Sequence, residues 1–142
     1  MDAKILIPVD DSPTARRTIE RIIEFRERFP RQLTLLHVVD DDKLAYRMIP
    51  DFQVEMVREK AKKAGQLHLE GIAEQLRNAG FEPETLLEFG TPRQVIPQIA
   101  NEQGVGLLVI GRHAGSGEIR DVLFGSVANY VLHNVMCPVL LF

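Results

Sequence analysis

The chain has one cysteine, Cys137, and no tryptophan. A lone thiol cannot close an internal disulfide, so a reducing, cytoplasmic setting is the default expectation. Nothing beside Cys137 would lower its pKa. Its place just before Pro138 reads as a small buried hydrophobe rather than a reactive group. Basic residues are short too: 17 Lys and Arg stand against 20 Asp and Glu, for a net charge of −3. That removes the basic excess a nucleic-acid partner would ask for. No apolar run approaches the roughly 20 residues of a membrane span, so no membrane partner is expected. The first residues, Met1-Asp-Ala-Lys-Ile-Leu-Ile-Pro8, enter a strand at once, without the charged-then-apolar design of a secretory signal. Repeats, low-complexity tracts and linker-like stretches are all missing. A length of 142 residues suits one hydrophobic core, so one domain over 1–142 is expected.

What is present is an alternation of short buried runs and helical patterns. Lys4-Ile-Leu-Ile-Pro-Val9 reads as a strand that stops at Asp10-Asp11-Ser12-Pro13. Ser12 and Pro13 read as N-cap and first helical residue. Ala15, Ile19, Ile22 and Ile23 then form one helix face, which should end near Phe29-Pro30. Leu33 to Val39 is a second strand, followed by Asp40 to Asp42 and a loop of about a dozen residues. A long charged helix over roughly 52–78 comes next. Its expected inner face is Val54, Val57, Ala61, Ala64, Leu67, Ile72 and Leu76, and Ala79-Gly80 is its C-cap. Thr85 to Phe89 is a third strand. Gly90-Thr91-Pro92 turns it into a helix with Val95, Ile96 and Ile99 inward, and Pro97 needs a first-turn position or a kink there. Gly106 to Ile110, a helix to about His133, and Pro138 to Phe142 complete a βαβαβαβαβ order. Near-continuous apolar strands indicate a parallel sheet covered on both faces, and right-handed crossovers make it a doubly wound, five-stranded α/β sandwich. Ligands in this class lie beyond the carboxyl ends of the strands, where the strand order reverses. Asp10, Val38-Val39-Asp40 and the stretch from Gly111 onward all fall at such ends.

That last stretch, Gly111-Arg-His-Ala-Gly-Ser-Gly-Glu-Ile-Arg-Asp-Val-Leu-Phe-Gly125-Ser126-Val127, lies between a buried strand and a helix. Glycines let backbone N–H groups face a ligand, and the helix N-terminus behind them favours an anion, most often phosphate. The plainer reading is a surface loop closed by a Ser126 N-cap.

Taken together, three stretches resemble the universal stress protein family: Ile5-Leu-Ile-Pro-Val-Asp10-Asp-Ser12, Leu35-Leu-His-Val38-Val-Asp40, and Val109-Ile-Gly111 through Gly125-Ser126-Val127. The Gly90-Thr91-Pro92 turn and the closing Pro138-Val-Leu-Leu also fit, so the likeness runs the length of the chain. It implies a Rossmann-like sandwich of the adenine nucleotide alpha-hydrolase-like kind. It also implies an adenine-nucleotide ligand, ATP with Mg²⁺ first among them, held by a switch or sensor in a stress response rather than by an efficient enzyme. Slow ATP hydrolysis is compatible with that reading, and no catalytic base is assigned. Adenine is placed against Pro8, Val9, Asp10 and Val38, with Asp10 and the Val38 backbone reading its edge. Gly111 is placed under the ribose, and Arg112 and His113 are counted among the nucleotide-binding residues. Gly115, Gly125, Ser126 and Val127 are placed at the phosphates. The nucleotide-binding branch spaces its loop as Gly, two residues, Gly, nine residues, Gly, then Ser or Thr. Here 13 residues separate Gly111 from Gly125, one more than that pattern. Taking Gly115 as the second glycine keeps every glycine; taking Ala114 puts the extra residue later. The family resemblance also implies a homodimer through the last strand, Val139 to Phe142, which as an edge would otherwise invite pairing.

Other readings stay in view. A family member without ATP would act as a dimeric protein-interaction module with an unknown protein partner. A response-regulator receiver would need an aspartate at the end of strand three and a lysine after strand five, neither of which is present. An adenylyl-transferring enzyme would need a His-rich turn after strand one, where Asp10-Asp-Ser-Pro stands instead. Of the four histidines, His37 reads as a hydrogen-bonded strand-end residue, His68 and His133 as helix-surface residues, and His113 as a loop filler or phosphate contact. None has metal-ligand spacing. The Asp40–Phe52 segment is the expected lid or partner surface.

Overall fold

The computed structural model describes residues 3–40, 50–112 and 125–142. Five strands, β1 (Ile5–Pro8), β2 (Gln32–Asp40), β3 (Glu82–Gly90), β4 (Leu107–Ile110) and β5 (Val139–Leu141), form one parallel sheet in the order β3-β2-β1-β4-β5. Four helices, α1 (Pro13–Glu24), α2 (Asp51–Asn78), α3 (Pro92–Glu102) and α4 (Gly125–Asn134), cross between them. The chain steps outward from β1 to β3, then returns to β4 on the other side of β1. The order therefore reverses between β1 and β4, as expected of a doubly wound fold.

Period-two side-chain alternation divides the core into two layers. Ile5, Ile7, Leu33, Leu35 and Val109 pack under α1 and α2 against Ile19, Ile22, Leu69 and Leu76. Leu6, Leu36, Leu108 and Ile110 pack on the opposite face against Ile96 and Ile99 of α3 and Val131 of α4. Both faces being covered is why the central strands β1 and β4 carry no charged residue, whereas the edge strand β3 carries Glu82, Glu84 and Glu88.

Local chemistry sets the helix ends. Ser12 Oγ accepts a hydrogen bond from Ala15 N at 3.2 Å, and Pro13 opens α1. The α-type pattern stops at Glu24, but a 3₁₀ turn over Arg26–Arg28 carries the helical path on to Phe29. Phe29 is then extended, as a residue before proline must be. The helix α2 ends in a Schellman motif: Phe81 N–H donates to Leu76 O and Gly80 N–H to Arg77 O, both at 3.0 Å, with Gly80 at φ +98°.

Three sequence expectations need correction. The core-facing residues of α2 are Gly65, Leu69, Ala73 and Leu76, whereas Ala64 is exposed and Leu67 is 76% exposed. The inward stripe runs through Gly65 and His68, neither of which carries an apolar signal, so counting apolar residues drifted one position off it. Pro97 is the sixth residue of α3 and buried, so of the two expected accommodations the first-turn position is excluded. Finally, α4 begins at Gly125, which puts Ser126 inside its first turn rather than at the N-cap.

Candidate functional site

A cavity of about 440 Å³ opens above the carboxyl ends of β1, β2 and β4, bounded by the starts of α1 and α3 and by α4. This size suits a small organic ligand. Its floor is apolar, made by Leu36, Val38, Ile96, Ile110, Ala128 and Val131. Its rim is polar: Asp10, Ser12 and Thr14 at the α1 entry, Asp40 at the end of β2, and Thr91 and Arg93 at the α3 entry. Among the described lining residues, Asp10 and Asp40 are the carboxylates and Arg93 is the cation. An apolar floor with a few convergent polar groups on its rim suits a small, partly polar organic ligand.

Of the expected residues, Pro8, Val9, Asp10, Val38, Gly111 and Val127 line this cavity together. Asp10 is exposed, and its Oδ1 accepts from Ser12 N at 2.9 Å, while no described residue donates to Oδ2. Arg112 stands outside the lining. Its main chain is fixed instead: its N–H donates to Phe142 O at 2.9 Å and its carbonyl accepts from the Arg17 guanidinium at 3.2 Å. His113 and Gly115 lie outside the described residues. Gly125 and Ser126 contribute backbone at the start of α4.

Gly111 has a second reason to be glycine. A Cβ there would collide with Thr18 Oγ1 and would stand 2.7 Å from Thr14 Cγ2 and 3.2 Å from Thr14 O. Thr18 is buried, and its hydroxyl donates to Thr14 O at 2.9 Å, so α1 has little room to retreat. The glycine thus lets β4 exit directly beneath α1, whatever occupies the cavity.

The entry of α3 was missed as a wall of the site. Gly90, at φ +145°, ends β3, and Thr91-Pro92 starts α3 over the same sheet end as β1 and β2. The Arg93 guanidinium lies 5.8 Å from the Tyr130 ring centroid, linking α3 to α4. The Thr91-Pro92 start signal was legible; its convergence with Asp10 depended on strand order.

The histidines also depart in part from expectation. His37 is a strand residue hydrogen-bonded through Nδ1 to Val9 O at 3.0 Å. His68 is half-buried rather than a helix-surface residue, and its Nε2 meets Asp10 O at 2.7 Å. His133 is exposed. Among the described residues no three His, Cys, Asp or Glu side chains gather as a metal site. Cys137 is half-buried beneath the α3–α4 layer, and burial pushes its thiol above its ordinary pKa against two backbone hydrogen bonds that lower it. None of the described helices is long and apolar enough to cross a membrane.

Sheet order, crossovers and cavity position define a doubly wound, Rossmann-like α/β protein. A sequence model of the Universal stress protein family matches residues 1–142, and the chain belongs to that family. The universal stress protein MJ0577 of Methanocaldococcus jannaschii is 27% identical, over 99% of this chain and 94% of its own. Its solved structure superposes with a TM-score of 0.80, covering 98% of this chain and 94% of that one. A putative universal stress protein of Staphylococcus aureus USA300 is 32% identical over 96% of this chain and 81% of its own. A family protein of Arabidopsis thaliana, solved with AMP bound, shares the fold at a TM-score of 0.69 and 20% identity, over 99% of this chain and 91% of its own.

Proposed function

We propose that the chain, folded as one domain, binds an adenine nucleotide, with Mg·ATP as the principal ligand, and acts as a cytoplasmic switch or sensor rather than an efficient enzyme. The observation that carries this reading is the apolar-floored cavity at the β1–β4 reversal with the Asp10 carboxylate on its rim. A carboxylate acceptor beside an apolar slot is what an aminopurine asks for. The AMP-bound relative lends support by showing an adenine nucleotide on this fold. Val38 and Pro8 flank the base in this reading, and the Gly125-Ser126-Val127 backbone at the α4 N-terminus attracts the phosphates. Magnesium keeps several waters and needs only one or two carboxylates beside the phosphates, so the lack of a three-residue cluster among the described residues is no obstacle. Native mass spectrometry of protein purified without added nucleotide tests the reading. Retained ATP or AMP is the expected result; a bare polypeptide mass that stays unshifted in millimolar Mg·ATP contradicts it.

The same chain is proposed to dimerise through β5. The edge strand β3 is protected by Glu82, Pro83, Glu84 and Glu88, whereas β5 presents Val139, Leu140 and Leu141 with no charge. Charge and proline on one edge and neither on the other favour pairing at β5. A second reading, a nucleotide-free interaction module, draws on Gly111: packing against Thr14 and Thr18 already requires that glycine without any ligand.

A further inference from the structure

Asp10 is exposed, yet the backbone around it is tied at three points. Val9 N–H donates to Leu36 O at 2.8 Å, extending the β1–β2 pairing past the strand. Val9 O meets His37 Nδ1 at 3.0 Å, and Asp10 O meets His68 Nε2 at 2.7 Å. A carbonyl can only accept, so the hydrogen sits on Nδ1 of His37 and on Nε2 of His68. The two rings meet edge to face, with centroids 5.6 Å apart. Gly65 makes this approach fit, since a Cβ there would stand 2.8 Å from His37 Cδ2 and 2.9 Å from Leu87 Cδ1. Helix α2 is therefore seated on β2 and β3 closely enough for His68 to reach over the top of β1.

We infer that His68, backed by His37, is a positioning residue that presents the Asp10 carboxylate to the amino group of the bound purine. The inference rests on the adenine-nucleotide reading above. With its carbonyl held by His68 and its Oδ1 by Ser12 N, Asp10 is fixed at both ends, and Oδ2, to which no described residue donates, is the acceptor offered to a ligand. A carboxylate fixed before binding loses less freedom when the ligand arrives. The arrangement also ties base recognition to the seating of α2, an element whose residues make no part of the cavity lining.

The test uses wild type, His68→Leu and His68→Gln. Leucine removes the donor, and glutamine returns an N–H near the position of Nε2. Each is titrated calorimetrically with Mg·ATP and with Mg·purine riboside triphosphate, which carries hydrogen in place of the amine. Exchange of the Ser12 amide is followed by NMR without ligand. Loss of one hydrogen bond corresponds to a fall of about 3- to 10-fold. His68→Leu is expected to lose ATP affinity by that factor, to leave the analogue unchanged, and to speed Ser12 exchange. His68→Gln is expected to restore both. Unchanged Ser12 exchange in His68→Leu overturns the positioning role whatever the nucleotide data show, as does a His68→Gln variant that behaves like leucine. A wild type that does not distinguish ATP from the analogue overturns the adenine reading instead, and Ser12 exchange still decides whether His68 positions Asp10.

Discussion

Replacing Gly111 by alanine separates two explanations of one glycine. The added Cβ would overlap Thr18 Oγ1 and press on Thr14 Cγ2 at 2.7 Å. Neither neighbour is the free end of a flexible chain. Thr18 is 2% exposed, and its hydroxyl is engaged with Thr14 O. The variant must therefore shift α1 away from β4, an overpacking effect of about 1–3 kcal/mol. In a chain of this length that lowers the melting temperature by about 2–10 °C. Urea unfolding is the assay, and the midpoint should fall with the slope unchanged, because the surface exposed on unfolding is the same. Adding Thr18→Ala removes the worst overlap, so the double variant should recover stability relative to the sum of the two single effects by about 1 kcal/mol. A Gly111→Ala protein within about 0.5 kcal/mol of wild type, in the absence of nucleotide, refutes the packing argument. The glycine would then be explained by a ligand alone.

Other expectations follow from single observations. Leu36→Ala, at a position with no exposed surface between β2 and the α3 layer, should destabilise by about 2–5 kcal/mol in the same unfolding assay. Ser12→Ala removes the α1 cap and the hydroxyl that accepts from Ala15 N, for a loss of about 1 kcal/mol. Gly80→Ala meets no neighbour but must adopt φ +98°, so about 1–2 kcal/mol should be lost from backbone strain alone. The raised Cys137 thiol stays protonated longer in the folded state than its ordinary 9.0. Its contribution to stability is thus full below that pH and declines as pH rises through and above it, and a Cys137→Ser variant should show a shallower alkaline decline in thermal melts. Light scattering should give twice the 16.1 kDa chain mass if β5 pairs, and the single-chain mass contradicts that proposal.

The parts of the fold set by local chemistry were legible in the sequence. Short apolar-rich runs marked all five strands, although β3 begins at Glu82 rather than Thr85, Ser12-Pro13 opened α1, and Ala79-Gly80 closed α2. The doubly wound class followed from handedness, and the rule that ligands lie beyond the strands' carboxyl ends pointed to the convergence of Asp10, Val38 and Gly111, while the order β3-β2-β1-β4-β5 came from the structure. What stayed hidden depended on distance between elements. Gly65 and His68 face inward on α2, yet one is small and the other polar, so periodicity passed over them. The packing need for Gly111 involves threonines nearly a hundred residues earlier in the chain, and no spacing rule reports it. Arg93 became a wall of the cavity only when α3 was laid beside α4. The extra residue between Gly111 and Gly125 falls among residues outside those described.

The most direct measurement is calorimetric titration of the purified protein with Mg·ATP, beside an Asp10→Ala variant with an unchanged melting temperature. Saturable binding in the micromolar range for wild type, lost in the variant, is the predicted result. No heat at millimolar Mg·ATP, or equal binding by the two proteins, would contradict the claim that the cavity beside Asp10 holds the nucleotide.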